Sequence, residues 1–237
     1  MAEHAFIPAL RYAWLTRLYD PVVALTCRER SFRKQLLALS DLHPGDWVLD
    51  LACGTGTFAV MLKRHQPQAH VFGLDADPEV LKAARAKAAG AGVEICLDEG
   101  MSFGMPYADG SFDAVFSSLF FHHLQTAQKL LTLTEVRRVL KPGGTLRVCD
   151  WGPAGSPYAR LAFTAVRMLD GFDVTRDSVE GRLPDLMVQT GFVEVHPVGE
   201  MATVLGTLQF LAGRKRQEAI RTTVKPYKSE YYLNILK

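Results

Sequence analysis

Residues 47–58 read WVLDLACGTGTF, an apolar run that leads into a glycine-rich loop and then into a helix-forming stretch. Trp47–Leu51 is typical of a short buried strand, and Thr57–His65 of the helix that follows it. Glycines at positions 54 and 56 carry no Cβ, so the backbone of the loop can approach a ligand closely. A loop of this kind between a strand and a helix predicts a nucleotide-type site at the carboxyl end of a parallel sheet.

Strand-like and helix-like segments alternate along the chain up to Asp150. Further strands are predicted at 71–74, 93–97, 112–117 and 145–149, with helices at 77–89 and 126–140. This alternation predicts parallel βαβ units in a doubly wound α/β sheet. After Asp150 two helices are predicted, at 158–169 and 183–190. An antiparallel pair of strands is predicted to follow at 192–196 and 203–212, with a turn near 197–199.

The composition excludes some classes of function. The 237 residues are 48% hydrophobic and 22% charged, with a formal net charge of +2, which is ordinary for one globular α/β domain with a few additions. Because no wide basic surface is indicated, no nucleic acid is expected as a partner. The basic run from Arg214 to Arg216 is typical of a solvated tail, and contact with an anionic lipid surface or an acidic partner is the alternative.

The cysteines and the apolar segments bear on the compartment. The cysteines form no CxxC pair and no zinc spacing, so no metal site is expected; they are Cys27, Cys53, Cys96 and Cys149. No stretch reaches the roughly 18 apolar residues that span a bilayer, and the N-terminus lacks the pattern of a signal peptide. We therefore predict a cytoplasmic protein without a transmembrane segment. Nothing in the sequence specifies its oligomeric state.

Two carboxylates near the glycine loop narrow the choice of ligand. Asp75 ends the second predicted strand about 20 residues after the loop, the usual place for an acid that binds ribose hydroxyls. Asp50 ends the first strand directly before the loop, where it would repel a pyrophosphate. A cationic ligand suits Asp50, and a buried hydrogen-bonding role that orients the loop is the alternative.

Four segments, in the right order, resemble the motifs of class I S-adenosylmethionine-dependent methyltransferases. They lie within residues 45–151 and read VLDLACGTG, LDADPEVL, MPYADGSFDAVFSSLFFHHL and EVRRVLKPGGTLRVCDW. The most similar subgroup is that of small-molecule methyltransferases of ubiquinone and menaquinone biosynthesis, which TRLYDPVVAL near the N-terminus also resembles. The resemblance implies S-adenosyl-L-methionine as cofactor and S-adenosyl-L-homocysteine as product.

The resemblance also implies a fold and a division of the chain. The fold is a Rossmann-like doubly wound α/β sheet of seven strands in the order 3-2-1-4-5-7-6, with strand 7 antiparallel and with N-terminal helices. Residues 1–44 are expected to form a helical cap over the active site, residues 45–213 the methyltransferase core, and residues 214–237 a basic C-terminal tail.

The methionine end of the cofactor is expected at the glycine loop. By resemblance, Gly54 and Gly56 lie against the methionine part, and the Ala52 carbonyl lies near its amino group. Asp50 belongs to the same binding set, whether by direct contact or by orienting the loop. Tyr19, in the N-terminal segment, is expected to close over the cofactor carboxylate.

The ribose and adenine end is expected at the next strands. By resemblance, Asp75 binds both ribose hydroxyls, Ala76 lies beside the adenine, and Ser102 offers it a backbone N–H. Ser117 and Ser118 are expected to line the cofactor near the end of strand four.

One position departs from the family pattern. Many relatives carry an acid after strand three that accepts from the adenine amino group, and Met101 stands there in this chain. Asp98 and Glu99 lie just upstream and are the candidates to replace it. Packing of Met101 on the adenine face, with the loss of one hydrogen bond, is the alternative.

Three residues at the carboxyl edge are the catalytic candidates. His122 and His123 follow strand four and are candidates for a general base, which is needed only if the acceptor keeps its proton until late in the reaction. A hydrogen-bonding role within the loop is the alternative for both. Asp150, at the end of strand five, is expected to face the acceptor side.

The acceptor pocket is expected from residues 1–30 and 151–185, outside the motif core. Both regions are apolar, which indicates a hydrophobic or aromatic small molecule, lipid-like or quinone-like, although ordinary core packing explains the same residues. Two other functions remain as alternatives. One is a non-catalytic module that binds S-adenosylmethionine, and the other is an NAD(P)-dependent oxidoreductase, against which Asp50 argues.

Overall fold

The computed structural model describes residues 29–153, 155, 161, 163–164, 167–168, 171 and 173–217. Its helices are α1 Glu29–Ala38, α2 Thr57–His65, α3 Pro78–Ala91, α4 Thr126–Val139, α5 Arg176–Val179 and α6 Leu183–Gln189. Its strands are β1 Trp47–Leu51, β2 His70–Asp75, β3 Cys96–Glu99, β4 Phe112–Ser118, β5 Leu140–Trp151, β6 Phe192–Ala202 and β7 Thr207–Lys215. A 3-10 turn, Phe121–His123, follows β4.

The seven strands form one sheet in the order β3-β2-β1-β4-β5-β7-β6. Strands β1 to β5 pair in parallel, whereas β7 runs antiparallel to both β5 and β6. This confirms the predicted strand order and the predicted orientation of strand 7. Parallel pairing brings the carboxyl ends of β1, β2, β4 and β5 to one edge of the sheet, which is where open α/β sheets bind ligands.

Apolar cores cover both faces of the sheet. Helices α1 and α2 pack on one face, where Phe32 and Phe58 are almost fully buried. Helices α4 and α6 pack on the other, where Val136 and Met187 have no exposed surface. Because the central strands are covered on both sides, their sequences are mostly apolar, as in WVLDL of β1, where Asp50 is the one charged residue.

Several predicted boundaries are wrong. There is no turn near 197–199, because β6 continues to Ala202 and the reversal lies at 203–206, where the Thr203 N–H donates to the Gly206 carbonyl. Strand β6 is at the edge of the sheet and has register shifts on both sides of Pro197, so a proline is tolerated there. Strand β3 is displaced toward the C-terminus of its prediction. Strand β5 begins at Leu140, ahead of the glycines expected to precede it.

An ion pair between helices α4 and α5 has no counterpart in the sequence analysis. The Lys129 Nζ donates to Asp177 Oδ2 at 2.9 Å and to the Val174 carbonyl at 2.9 Å. Lys129 and Asp177 are each only 1% exposed. The Thr126 hydroxyl donates to the same carboxylate oxygen at 2.8 Å. These bonds attach residues 174–177 to the helix that follows the β4 loop.

Three sets of predictions fall mainly or wholly outside the described residues. They concern the N-terminal cap with Tyr19, the helix at 158–169 apart from a few helical residues, and the tail beyond residue 217. Within the described residues, Arg214 and Lys215 are the last two residues of β7. No helix among these residues has the length and apolarity needed to cross a membrane.

Candidate active site

The glycine loop leaves β1 and enters α2 through two left-handed glycines. Gly54 has φ +53° and Gly56 has φ +72°. A Cβ on Gly56 would lie 2.9 Å from the Ala84 Cβ of α3, so only glycine allows this helix to pack against the loop. Among the described residues, nothing lies within 4 Å of a Cβ placed on Gly54. The described part of the chain therefore leaves room for a ligand beside Gly54.

Ala52 also has a left-handed backbone, with φ 55°. An L-residue with a Cβ is strained in this conformation, and such strain is concentrated at ligand-binding sites. The three residues 52, 54 and 56 thus turn the loop back on itself, and the Gly56 N–H donates to the Cys53 carbonyl at 3.0 Å.

The Asp75 carboxylate holds the loop from the adjacent strand. One oxygen accepts from the Gly54 N–H at 2.8 Å and the other from the Asp77 N–H at 3.0 Å. Burial raises the pKa of Asp75 above its ordinary value, and these two N–H groups oppose the rise. Ala76 lies between the two aspartates and is half-buried. The predicted ribose-binding acid is therefore in direct contact with the predicted methionine-binding loop.

Asp50 is buried beneath the loop, with 1% of its surface exposed. Burial raises its pKa to about 7, against the opposing effects of the Arg33 charge and the Ala59 backbone N–H. Its Oδ2 has no hydrogen-bond partner among the described residues. A buried carboxylate oxygen without a donor is unfavourable, and a cationic or donor group of a ligand would satisfy it.

The structure distinguishes the two acids near Met101. Asp98 accepts a hydrogen bond from the Tyr107 hydroxyl at 3.0 Å, so it is already bound within the protein. Glu99 is exposed and lies in register with Asp75 on the neighbouring strand, which puts both side chains on the same face. Met101 is half-buried, and the Ser102 hydroxyl is paired with that of Thr132 at 2.8 Å.

The two serines at the end of β4 differ in burial. Ser117 is fully buried, and its hydroxyl has no hydrogen-bond partner among the described residues. Ser118 is half-buried. Leu119 then turns the chain with φ 53°, and its N–H donates to the Cys149 carbonyl at 2.8 Å. The backbone leaves the sheet here, beside the end of β1.

Asp150 joins the ends of β4 and β5. Its Oδ1 lies 2.6 Å from His122 Nδ1, and its Oδ2 accepts from the backbone N–H groups of Phe120 at 3.1 Å and His122 at 3.4 Å. The Trp151 N–H donates to Oδ1 at 2.7 Å. Burial alone would raise the pKa of Asp150, but the His122 ring and the Trp151 N–H hold it below its usual value.

The two histidines lie against each other and beside Trp151. Their ring centroids are 3.9 Å apart, and the centroids of the His122 and Trp151 rings are 6.4 Å apart in an edge-to-face arrangement. Burial and the neighbouring His122 hold the pKa of His123 well below its usual value. His123 is therefore neutral at physiological pH. The ionised Asp150 can only accept, so the His122 Nδ1 carries a proton and donates it to the carboxylate.

The described candidates thus form two groups along one edge of the sheet. The loop group holds Asp50, Ala52, Gly54, Gly56, Asp75 and Ala76. The second holds Ser117, Ser118, His122, His123 and Asp150, across the β1–β4 pair. Tyr19 lies outside the described residues, and no contact between Met101 or Ser102 and either group is described.

Two charged residues that contact the loop group or act on it were missed by the sequence analysis. Arg33 of α1 acts on the buried Asp50. Lys87 of α3 donates to the hydroxyls of Thr55 and Thr57. A lysine in a helix rich in Ala, Lys and Arg is typical of a solvated face, so the sequence pattern gave no reason to single out Lys87. Its position three residues after Ala84, on the same helix face, was the available signal.

Residues 48–144 match the family model described as a methyltransferase domain. Over these residues the chain is similar to methyltransferase domains. The demethylmenaquinone methyltransferase of Deinococcus radiodurans is 38% identical over 148 residues, which are 62% of this chain and 58% of that protein. That of Thermus thermophilus is 42% identical over 145 residues, which are 61% of this chain and 63% of that protein. The family resemblance of the sequence is confirmed, and neither alternative function is favoured.

The comparisons extend to solved structures. The S-adenosylmethionine-dependent methyltransferase SibL, solved in its apo form, matches with a TM-score of 0.63 and 22% identity, over 78% of this chain and 55% of that chain. A likeness at this identity bears on the fold alone, and it agrees with the Rossmann-like sheet. The matches to the two demethylmenaquinone methyltransferases span between 58% and 63% of their length.

Proposed function

We propose that this chain transfers a methyl group from S-adenosyl-L-methionine to a small hydrophobic or aromatic acceptor of the quinone type, with S-adenosyl-L-homocysteine as the second product. The observation that carries the proposal is the Asp75 carboxylate, which holds the Gly54 N–H at 2.8 Å beside the unsatisfied Asp50 oxygen. Asp75 is then the acid for the ribose hydroxyls and Asp50 the acid for a cationic group, and no described residue would contact a Cβ on Gly54 in the loop beside them.

The charges of the residues at the loop suit this cofactor. The cofactor carries positive charges on its sulfur and its amino group, and the buried Asp50 would be compensated by them. A pyrophosphate at the same place would add a negative charge next to Asp50 and Asp75, which is unfavourable. We assign the methionine end to residues 50–56, the ribose to Asp75 and the adenine to the surroundings of Ala76, Met101 and Ser102. Glu99 is the acid on the face of Asp75.

The main task of the protein in methyl transfer is to position the acceptor molecule. When bound, S-adenosyl-L-methionine supplies a methyl group on a positively charged sulfur. In-line transfer requires the acceptor atom to be held about 3–3.5 Å away and collinear. We assign this task to the β4 and β5 ends, where Asp150 fixes Phe120, His122 and Trp151 with four contacts. Asp150 is thus a positioning residue.

A proton acceptor is required for an acceptor molecule that loses a proton as it is methylated. We assign that role to the Nε2 of His122, because its Nδ1 faces Asp150 at 2.6 Å, an arrangement that keeps the proton on Nδ1 and orients the ring. His123 is assigned to packing against the His122 ring, since burial keeps it neutral.

The acceptor class is supported by the relatives and by the apolar surroundings of Trp151. Both named relatives are demethylmenaquinone methyltransferases. Trp151 packs on Phe163, with ring centroids 5.2 Å apart, next to the carboxyl edge. We assign the remaining walls of the pocket to residues 1–30 and 151–185. We assign peripheral contact with an anionic surface to the basic residues of 214–237. The cytoplasm is the proposed compartment, because a reducing environment suits the free thiols of Cys53 and Cys96.

The proposal is tested by calorimetry and by turnover. Asp75→Ala should weaken binding of S-adenosyl-L-homocysteine by about 1–3 kcal/mol, since it removes a charged acceptor from two hydroxyls. Asp109→Ala, at an exposed acid, is the matched control and should bind as the wild type does. Methyl transfer should be detected with a naphthohydroquinone acceptor. Unchanged affinity in Asp75→Ala, or methylation of small polar acceptors only, would contradict the proposal.

A further inference from the structure

Helix α4 holds the loop between β3 and β4 through a bidentate ion pair. Arg138 donates to Glu135 from Nε to Oε1 at 2.7 Å and from Nη2 to Oε2 at 2.8 Å. The same pair binds both backbone groups of Met105, because Glu135 Oε2 accepts from its N–H at 3.0 Å and Arg138 Nη2 donates to its carbonyl at 3.2 Å. Arg138 Nη1 donates to the Tyr107 carbonyl at 2.7 Å. Bidentate pairs of arginine and carboxylate are geometrically specific, so the loop is fixed at residues 105–107.

One contact of Arg138 is weak by comparison. Its Nη1 also lies 2.8 Å from the Asp109 carboxylate, which is 81% exposed, and exposed ion pairs contribute little. The attachment of the loop to α4 therefore depends on the half-buried Glu135 and the two backbone carbonyls, and not on Asp109.

Thr132 fixes the start of the same loop. It lies three residues before Glu135, which lies three before Arg138, so the three side chains follow one another along one face of α4. The Thr132 hydroxyl is 2.8 Å from that of Ser102, and both residues are buried. A buried hydroxyl that loses its partner is unfavourable, so this pair specifies where Ser102 lies.

The segment between these two attachments is a short turn beside the proposed ribose site. The Gly104 N–H donates to the Met101 carbonyl at 3.2 Å, which closes the turn over residues 101–104. Immediately before the turn, the Gly100 N–H donates to the Asp75 carbonyl at 3.0 Å. The turn therefore lies at the carboxyl edge of the sheet, next to the end of β2, and α4 holds it from the other side.

We infer that Thr132, Glu135 and Arg138 are positioning residues that hold the 101–104 turn in place for recognition of the purine base. The inference rests on the proposed function, which assigns the adenine to the surroundings of this turn. A backbone N–H in a fixed position donates to N1 of adenine, which is an acceptor. Hypoxanthine carries a proton on N1, so the same N–H opposes it. A fixed turn therefore selects a 6-amino purine over a 6-oxo purine, and a loosened turn loses this selectivity.

Two ligands that differ only in the purine test this role. S-adenosyl-L-homocysteine carries adenine, whereas S-inosyl-L-homocysteine carries hypoxanthine. Calorimetry on the full chain should show that the wild type binds the first ligand more tightly. In Arg138→Met, affinity for the first ligand should fall about fivefold, the effect of one neutral hydrogen bond, and affinity for the second should stay within about twofold of the wild type.

The second variant and the controls come from the same helix. Thr132→Val removes only the hydroxyl that pairs with Ser102 and should cause the same selective loss, whereas Thr132→Ser keeps a hydroxyl and should restore the preference. Thr134→Val and Arg137→Met change exposed positions of α4 and should leave both affinities unchanged. Thr132→Val decides the question if Arg138→Met fails to fold.

The ratio of the two affinities separates positioning from a merely structural role, because partial unfolding lowers the fraction of protein that binds and leaves that ratio unchanged. Four results would overturn the inference: no preference in the wild type, an equal loss for both ligands in the variants, no loss for either, or the same selective loss in the controls. Failure of the wild type to bind either ligand would instead refute the proposed function, so the two failures are distinguishable.

Discussion

At the scale of single residues, Ala52 is the position where sequence and backbone disagree most. Its φ of 55° suits glycine, whereas alanine is strained there. We expect Ala52→Gly to raise the free energy of unfolding by about 0.5–1 kcal/mol, the relief of strain less the added entropy of the unfolded chain. Urea denaturation measures the change.

A matched control for Ala52 lies in helix α3. Ala86 is exposed in the helix interior, and Ala86→Gly should lower the free energy of unfolding by about 1 kcal/mol. A loss of stability in both variants would mean that the backbone of Ala52 is not left-handed in solution. Such strain cannot be foreseen from residue types, because alanine itself gives no signal of a positive φ.

At the scale of elements, the buried Lys129–Asp177 pair determines how α5 is held. The carboxylate accepts from Lys129 and Thr126, and Arg182 approaches its other oxygen at 3.3 Å. Asp177→Ala leaves the Lys129 charge buried without its counter-ion, so we expect a loss of about 3–5 kcal/mol in the free energy of unfolding. Chemical denaturation of the variant measures it.

The double variant Lys129→Met with Asp177→Leu isolates the cause. It removes both charges and should recover most of the stability lost in Asp177→Ala, because no charge is left buried alone. A double variant as unstable as the single one would show that the geometry of the segment, and not the unpaired charge, is what Asp177 provides.

The elements themselves were largely predictable from the sequence. Covered parallel strands are continuous apolar runs, and Asp77 before Pro78 marks the start of α3, where its side chain accepts from the Glu79 N–H at 2.8 Å. The predicted turn near 197–199 was wrong because proline and glycine usually end a strand. The edge strand β6 instead continues through Pro197, which lies between two register shifts. The Lys129–Asp177 pair could not be predicted, since the two residues are far apart in sequence and no local pattern joins them.

At the scale of the whole molecule, the sequence predicted which candidate residues lie at the same edge of the sheet but not how they interact. Asp50, Gly54 and Asp75 were found because strand ends in a parallel sheet meet at one edge. That Asp75 binds the loop itself, and that Asp150 bonds to three backbone N–H groups, depends on the packing of separate elements. Spacing in the sequence does not report on either.

The buried Asp50 links the stability of the whole molecule to pH. Its pKa rises from 3.8 to about 7 on folding, so the ionised carboxylate destabilises the fold, and stability is lost as pH rises through about 7. Asp50→Asn removes this charge. Its advantage over the wild type in the free energy of unfolding, without ligand, should grow by about 2–3 kcal/mol between pH 5 and pH 8.

The same linkage predicts the pH dependence of cofactor binding. If a cation binds beside Asp50, the carboxyl must lose its proton, so affinity for S-adenosyl-L-methionine in the wild type should rise with pH up to about 7. Asp50→Asn should bind more weakly at pH 8 and lose that rise. Urea titrations and calorimetry at matched pH values measure both effects. A stability difference between the two proteins that is constant with pH would show that folding does not raise the pKa of Asp50. An affinity that is independent of pH would show that Asp50 does not contact the cationic end of the cofactor.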